Sequence, residues 1–274
     1  IEAAAADEAT PNEASAPAAP LNAAPPAARL NGFDVAAALV PREAIRPGGP
    51  KRDGIRSVDA PAFVPAAEAK WVLADTPVVG IVVDDDARAY PVHLLEYHQV
   101  VNDTVGGRPV VVTYDPLTAS PLAFSARLGG EHRHFGVSGL VYESHFLAYD
   151  RESESLWSPL RGEAIAGPLA GTRRERLVVR QEAFAGWLHR HPQTTVLERP
   201  SPERIDYRHS PFTAYWVSET IPFPVSSRDD GYHPKELALG VEAGGRGNAF
   251  LGVVLRAAGG RVLGQGGGAE VRVA

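Results

Sequence analysis

The sequence predicts an α+β fold with a mainly antiparallel β-sheet, a few peripheral helices and a degenerate internal half-repeat. Two observations lead to this prediction. Short apolar runs rich in β-branched residues recur from Pro77 onward, and turn-forming residues separate them at regular spacing. A segment near the C-terminus also repeats the order of an earlier one. Such spacing is typical of antiparallel strands with helices at their edges.

The individual elements follow from local patterns. The run "VVGIVV" (78–83), the acidic turn "DDD" (84–86) and "ARAYP" predict a hairpin, and "PVVVTY" (109–114) predicts another strand. Helices are expected at 34–39, at 92–98 and at 181–192, the last ended by Pro192. Residues 102–107 contain two glycines and are interpreted as a polar turn. Further strands are expected at 122–128, 132–137, 144–149, 163–167 and 176–180.

The half-repeat relates residues 237–274 to residues 77–114 by a shift of 160 positions. This shift places Gly240 on Gly80 and Phe250 on Tyr90. The second copy has no counterparts of His98, Asn102 and Asp103. We therefore predict three regions: an Ala/Pro-rich disordered tether at 1–30, a main domain at 31–200, and a C-terminal β-rich extension at 201–274 that repeats about 77–114.

Composition limits the functional classes. The net charge is −6, and the one short basic run, 173–176, contains an acid, so no nucleic-acid surface is expected. Cysteine is absent, which excludes disulfides, thiol catalysis and cysteine-bound metals. Methionine is absent too, and the loss of both oxidisable side chains suits an exposed, oxidising location. No segment has the length and apolarity of a transmembrane helix. The Ala/Pro tail is either a tether that holds the domain off a membrane or wall, or an inert leader.

Several motifs occur together in one order: "NGFDV" from Asn31, "ARAYPVHLLEYHQVVNDTVGGRPVVVTYDPL" (87–117), "FGVSGLVYESHFLAYDRESESLWSPLRGEAIAGPLAG" (135–171) and "HPQTTVL" (191–197). On these motifs the chain resembles domain-of-unknown-function family 3179 over about residues 31–200. The resemblance implies an exported or envelope protein of bacteria or archaea, without a settled biochemical activity. Cysteines are usual in the family where this chain has Asp115 and Thr118, and His-Glu is usual where it has His98-Gln99. Thiol chemistry of the family's kind is therefore not expected here.

Two candidate site regions flank the strand 109–114. His98 is a candidate base or metal ligand that Asp103 would orient, with Asn102 beside it. The alternative is that His98 caps a helix while Asn102 and Asp103 form a turn. Asp115 is either a ligand for a hard divalent metal or the first residue of an Asp-Pro turn. The remaining ligand-binding candidates are Tyr114, Thr118, Tyr142, Ser144 and Trp157, although Trp157 also suits a core position.

Two hypotheses of function follow. The first is an exported cell-envelope binding or structural protein, an extracytoplasmic subunit of a larger assembly with a protein partner in the envelope. It would be periplasmic or extracellular and membrane-tethered through the N-terminal tail. The second is a metal- or small-ligand-binding enzyme that uses His98, Asp103 and Asp115, with a divalent metal held by His98 and Asp115. The sequence contains no standard catalytic motif, which favours the first.

Overall fold

A computed structural model describes residues 28–200, 204–243 and 246–252, together with the backbone of 262–266 and 269–273. The predicted tether lies almost wholly outside the described residues. The helices are α1 (Val92–His98), α2 (Phe184–Arg190) and α3 (Thr213–Trp216), with a 3₁₀ turn at Arg42–Ala44. The strands of the described residues are β1 (Arg29–Leu30), β2 (Phe33–Asp34), β3 (Ile45–Pro47), β4 (Phe63–Pro65), β5 (Pro77–Val83), β6 (Asp86–Pro91), β7 (Val100–Val105), β8 (Arg108–Asp115), β9 (Ser120–Ser125), β10 (Arg127–Leu128), β11 (Glu131–His132), β12 (Phe135–Tyr142), β13 (His145–Asp150), β14 (Leu156–Ser158), β15 (Glu163–Ala166), β16 (Arg176–Leu177), β17 (Val179–Ala183), β18 (Thr195–Leu197), β19 (Ala238–Ala243), β20 (Arg246–Leu251), β21 (Val262–Gly266) and β22 (Ala269–Val273).

Three sheets make up the main part of the chain. Their strand orders are β15-β14-β13-β12-β3, β16-β9-β8-β7 and β17-β5-β6-β18-β4. Within these sheets β18 runs parallel to β6, and every other neighbouring pair is antiparallel. The predicted α+β class with a mainly antiparallel sheet is therefore confirmed.

The largest core cluster joins β5 and β6 to α1, β7 and β8. Val79, Ile81, Val101 and Val112 are buried in it, because alternating β-branched residues project from one face of each strand. Helix α1 adds its buried apolar residues Val92, Leu94 and Leu95. The helix ends at His98 because the next residue, Gln99, adopts a left-handed conformation with φ of 58° and donates its N–H to the Leu95 carbonyl at 2.7 Å. This core positions strands β7 and β8, which carry the candidate residues Asn102, Asp103 and Asp115.

Three local predictions need correction. Residues 34–39 are not helical, because the Asp34 carboxylate accepts the Ala36 N–H at 2.8 Å and holds a turn, while the Leu39 N–H bonds the Ile165 carbonyl. Residues 102–105 belong to β7, and only Gly106 and Gly107 form the turn. Helix α2 covers seven residues, since 181–183 pair with β5 as the end of β17.

The two hairpins related by the shift of 160 have the same register. In β5–β6 the pairs include Val79 with Tyr90 and Gly80 with Ala89, and in β19–β20 they include Leu239 with Phe250 and Gly240 with Ala249. All six pairs of β19–β20 follow this rule. The second hairpin, β21–β22, is displaced by two residues from the register that β7–β8 would give it. Residues 253–261, where the repeat would continue after β20, lie outside the described residues.

The surroundings of the two related hairpins differ. Strand β5 lies inside a five-stranded sheet, and its Val78 to Ile81 are buried. Strand β19 pairs only with β20 among the described residues, and its Leu239 is 45% exposed.

None of the described helices combines the length and apolarity that crossing a bilayer requires.

Candidate functional site

His98 is a buried connecting residue at the end of α1. Its Nδ1 lies 2.7 Å from the carbonyl oxygen of Arg56, which can only accept a hydrogen bond, so this nitrogen carries the proton. Its Nε2 therefore accepts from the Tyr207 hydroxyl, also at 2.7 Å. Burial lowers the pKa of His98, partly offset by the bond to Arg56, so the ring is neutral at pH 7. Both ring nitrogens are occupied, which leaves no lone pair for a metal.

Asn102 joins two sheets. Its amide group donates to the Phe135 carbonyl at 2.8 Å and accepts the Phe135 N–H at 2.8 Å, so it pairs with the start of β12 as another strand would. The same amide nitrogen donates to Asp59 at 2.7 Å. All hydrogen-bonding atoms of this buried side chain are thereby used within the protein, which indicates a structural role.

Asp103 belongs to a separate polar network on β6 and β7. It accepts the Tyr90 hydroxyl at 2.6 Å and the Thr104 N–H at 2.7 Å, and the Arg88 guanidinium lies 3.5 Å away. Arg88 also forms two 3.0 Å bonds to Asp86 and stacks over Phe63. Burial raises the pKa of Asp103, against the lowering effects of Tyr90 and Arg88.

Asp115 holds the turn that follows β8 and joins it to β13. One carboxylate oxygen accepts the Leu117 N–H at 2.6 Å, which is the expected Asp-Pro turn. The other accepts the buried Phe146 N–H at 2.6 Å and lies 3.5 Å from His145 Nδ1. That nitrogen donates to the Phe146 carbonyl at 2.9 Å. Both sides of the carboxylate are therefore engaged by backbone donors.

The remaining predicted candidates lie around this turn or in the core. Tyr114 is buried, and burial together with the nearby Glu96 and Asp115 raises the pKa of its phenol. Thr118 lies in the Asp115 turn, and its buried hydroxyl has no hydrogen-bond partner among the described residues. Ser144 occupies the β12–β13 turn with φ of 58°, next to Tyr142 at the end of β12. Trp157 is a core residue whose indole N–H donates to Asp150 at 2.8 Å.

No contact joins His98, Asp103 and Asp115, the three residues of the predicted enzyme site. His98 bonds Arg56 and Tyr207, Asp103 bonds Tyr90, and Asp115 bonds the backbone of two strands. In the part of the chain described by the structure, no group of three or more His, Asp or Glu side chains is arranged to hold a metal ion.

A segment that we call the strap, residues 204–218, crosses α1 and the Asp115 turn. Tyr97 of α1 donates to the carbonyl of His209 at 2.8 Å, and Tyr207 of the strap donates to His98. Farther along, Tyr215 donates to the Leu117 carbonyl at 2.8 Å. His98 and the Asp115 turn therefore position the strap against α1.

A cleft of about 940 Å³ lies between α1, the start of β5 and the strap. Its apolar and aromatic lining includes Trp71, Ile205 and Tyr207. Its polar lining is more varied and comprises Thr76, His93, Glu96, Arg199, Arg204, Asp206, Arg208 and Ser210. The Arg199 guanidinium lies 5.0 Å from the centre of the Trp71 ring, within cation–π range. We call this space the α1 cleft.

His93 and Glu96 stand one helical turn apart on α1 and so share the face that lines the α1 cleft. Burial lowers the pKa of His93, which keeps the imidazole neutral at pH 7. Burial raises the pKa of Glu96, while a hydrogen bond from Ser210 opposes the rise. One carboxyl oxygen of Glu96 is buried without a hydrogen-bond partner among the described residues. The cleft thus contains a carboxyl group whose protonation is easier than usual.

The sequence prediction missed the cleft residues, although two local patterns indicated them. His93 and Glu96 have i, i+3 spacing on the predicted helix 92–98, which places them on one face of that helix. Three arginines and a tyrosine also occur within "RPSPERIDYR" (199–208). This segment packs against α1 through contacts between residues about a hundred positions apart in sequence. A local sequence pattern cannot predict such contacts.

Comparison with known proteins gives one match. A family model described as "Protein of unknown function (DUF3179)" matches residues 52–274. No curated protein and no solved structure matches the chain.

Proposed function

The chain belongs to the DUF3179 family of proteins of unknown function, and from that premise we propose that it is an exported ligand-binding protein of the cell envelope, without thiol chemistry. The observation that carries the binding function is the α1 cleft. Its volume of about 940 Å³ lies within the range of small-molecule sites, roughly 300–1,000 Å³. Its lining combines apolar rings with a few convergent polar groups, as such sites usually do.

The candidate motif residues support binding over catalysis. A catalytic base or nucleophile needs an unoccupied lone pair near substrate. His98 and Asp115 instead use their polar atoms to position the strap and the turn beneath it. In this proposal His98 and the Asp115 turn hold the strap that forms one wall of the α1 cleft, and the ligand contacts the side chains that line the cleft.

The absence of both sulfur-containing residues and the Ala/Pro tail at 1–30 support export and tethering. Exposed apolar side chains support a protein partner in the envelope. Among the described residues, four of the nine exposed large apolar side chains lie between positions 217 and 239: Val217, Tyr232, Leu237 and Leu239. Their concentration favours the C-terminal extension as the contact surface of a larger assembly.

A binding screen tests the proposed function. The purified protein is screened by thermal shift against a chemically diverse fragment library, in parallel with Leu73→Trp and Leu39→Trp variants. Leu73 lines the α1 cleft and is 64% exposed, so a larger ring there obstructs the cleft without disturbing the core. Leu39 is 53% exposed and lies elsewhere, which makes it the matched control. We expect fragments that stabilise the wild type and the Leu39→Trp variant, and lose at least about two-thirds of their effect in Leu73→Trp.

If every stabilising fragment acts equally on the Leu73→Trp and Leu39→Trp variants, the α1 cleft is not the ligand site and the proposed function fails. No contact joins His98, Asp103 and Asp115, so the proposed function does not include an enzyme that uses these three residues together.

A further inference from the structure

We propose that His132 and His134 form a binding site for a divalent first-row transition-metal ion, with Cu(II) bound most tightly. The two imidazoles are the protein ligands, Glu152 orients one of them, and water completes the coordination of the ion. The structure describes all three residues, and none of them lines the α1 cleft. The site is therefore independent of the proposed function, and each can fail without the other.

The β10–β11 hairpin places the two imidazoles side by side. Its turn consists of Gly129 and Gly130, both with positive φ, as a two-residue hairpin turn requires. Side chains alternate between the two faces of an extended chain, so His132 and His134 project on one side. Their ring centres lie 4.3 Å apart. Two nitrogen ligands are thus presented together at the surface.

Arg133, between the two histidines, confirms this alternation. Its guanidinium points toward the protein and lies 3.9 Å from the carboxylate of Asp150, which is fully buried. The side chain of Arg133 is only 15% exposed, whereas that of His134 is 45% exposed and His132 is exposed. The histidines therefore face solvent, from which an ion can reach them.

Glu152 prepares His134 for a metal ion. Its carboxylate lies 2.9 Å from His134 Nδ1 and also accepts the backbone N–H of His134 at 3.1 Å. An ionised carboxylate can only accept, so Nδ1 carries the proton and Nε2 has the free lone pair. The carbonyl of His134 accepts the Arg151 N–H at 2.8 Å, which fixes the backbone as well. Metal-bound histidines usually donate their other ring N–H to a carboxylate or carbonyl in this way.

His132 supplies the second imidazole. It makes no hydrogen bond to any described residue, so its ring is free to turn a nitrogen toward an ion held by His134. Imidazole suits Zn(II), Ni(II) and Cu(II), and Cu(II) forms the most stable complexes of the three. Arg127 lies opposite His132 in the hairpin and repels a cation, but it is exposed, so solvent and salt screen the repulsion.

A second His-Arg-His tripeptide, at 189–191, is a matched control within the same chain. It spans the end of α2, where residues two apart do not face each other. The ring of His191 packs against Trp187 with the ring centres 4.1 Å apart, while His189 is exposed. The same three residues thus give a paired set of imidazoles on the hairpin and separated imidazoles on the helix.

Titration of the full chain with Cu(II) tests the site. Calorimetry gives the affinity, and the electron paramagnetic resonance spectrum shows nitrogen ligands through their hyperfine splitting. We expect His132→Ala and His134→Ala each to weaken the tightest hairpin-dependent site by about tenfold or more, because one imidazole remains. His189→Ala and His191→Ala should leave the affinity unchanged. Weaker copper sites elsewhere are common to the wild type and the two hairpin variants, and they cancel in the comparison.

Glu152→Gln tests the positioning of His134. We expect it to weaken Cu(II) binding by about tenfold, as the loss of an outer-shell partner does. Glu154→Gln is its control, since Glu154 bonds Arg52 at 2.7 Å and should not affect the ion. Thermal melting of the metal-free variants checks that they fold. Unchanged Cu(II) affinity in His132→Ala and His134→Ala, or equal losses in His189→Ala, overturns the site. Equal effects of Glu152→Gln and Glu154→Gln overturn the role of Glu152.

Discussion

Replacing Gly80 by alanine is expected to lower the free energy of unfolding by about 3 kcal/mol, because the added methyl group has no space. A Cβ at this position would lie 2.4 Å from two ring atoms of Trp187. The ring cannot move aside easily, since Trp187 is fully buried and its N–H donates to Thr194 at 2.9 Å. Urea denaturation of the wild type and the Gly80→Ala variant measures the loss.

The internal half-repeat supplies a matched control. Gly240 occupies the corresponding place in β19, with the same cross-strand pairing, and a Cβ there meets nothing within 4 Å. Gly240→Ala should therefore change stability by no more than about 0.5 kcal/mol, or raise it slightly through reduced freedom of the unfolded chain. A Trp187→Leu substitution should recover part of the loss in Gly80→Ala. Equal effects of the two glycine substitutions would refute the packing of α2 on β5.

Replacing Asp115 by alanine is expected to cost about 3 kcal/mol. The substitution leaves the N–H groups of Leu117 and Phe146 without acceptors, and a buried unpaired donor costs about 1–3 kcal/mol. Asp115→Asn should lose about half as much, because the amide has one accepting oxygen where the carboxylate has two. Denaturant titration of the three proteins at pH 7 gives the values.

Asp34→Ala is the control for the Asp115 series. Asp34 forms the same kind of turn, accepting the Ala36 N–H at 2.8 Å, but it is exposed. Water replaces the lost acceptor there, so we expect a cost below about 1 kcal/mol. If Asp115→Ala proves as mild as Asp34→Ala, Asp115 is not a structural connection between strands. Asp115 would then need a functional explanation.

Much of the fold was predictable because burial follows hydrophobic periodicity. The runs at 78–83 and 109–114 are strands, and helix 92–98 has the predicted bounds. The prediction failed where polar side chains replaced backbone partners. Asn102 and Asp103 look like turn residues, but inside β7 their side chains find acceptors and donors on β12 and β6. The preference of a residue type for turns or strands does not predict such long-range hydrogen bonds.

The site was less predictable than the fold for a related reason. The polar residues with the clearest motif, His98 and Asp115, bond to other parts of the protein, and their partners Tyr207 and Phe146 are far away in sequence. The α1 cleft forms only when the strap crosses α1. The sequence contains its residues as an i, i+3 pair on a predicted helix and as an arginine-rich segment. No local pattern predicts that the pair and the segment line the same cleft.

In the proposed function, His98 and the Asp115 turn hold the strap against α1, and ligands bind in the α1 cleft. Chemical-shift mapping tests it most directly. Amide spectra of isotope-labelled protein are recorded with and without the fragments that stabilise it. We expect the largest shifts in α1 and in residues 204–210. Shifts centred on residues 114–118 and 142–146, with the amides of α1 unchanged, would contradict it and return the functional site to Asp115 and its neighbours.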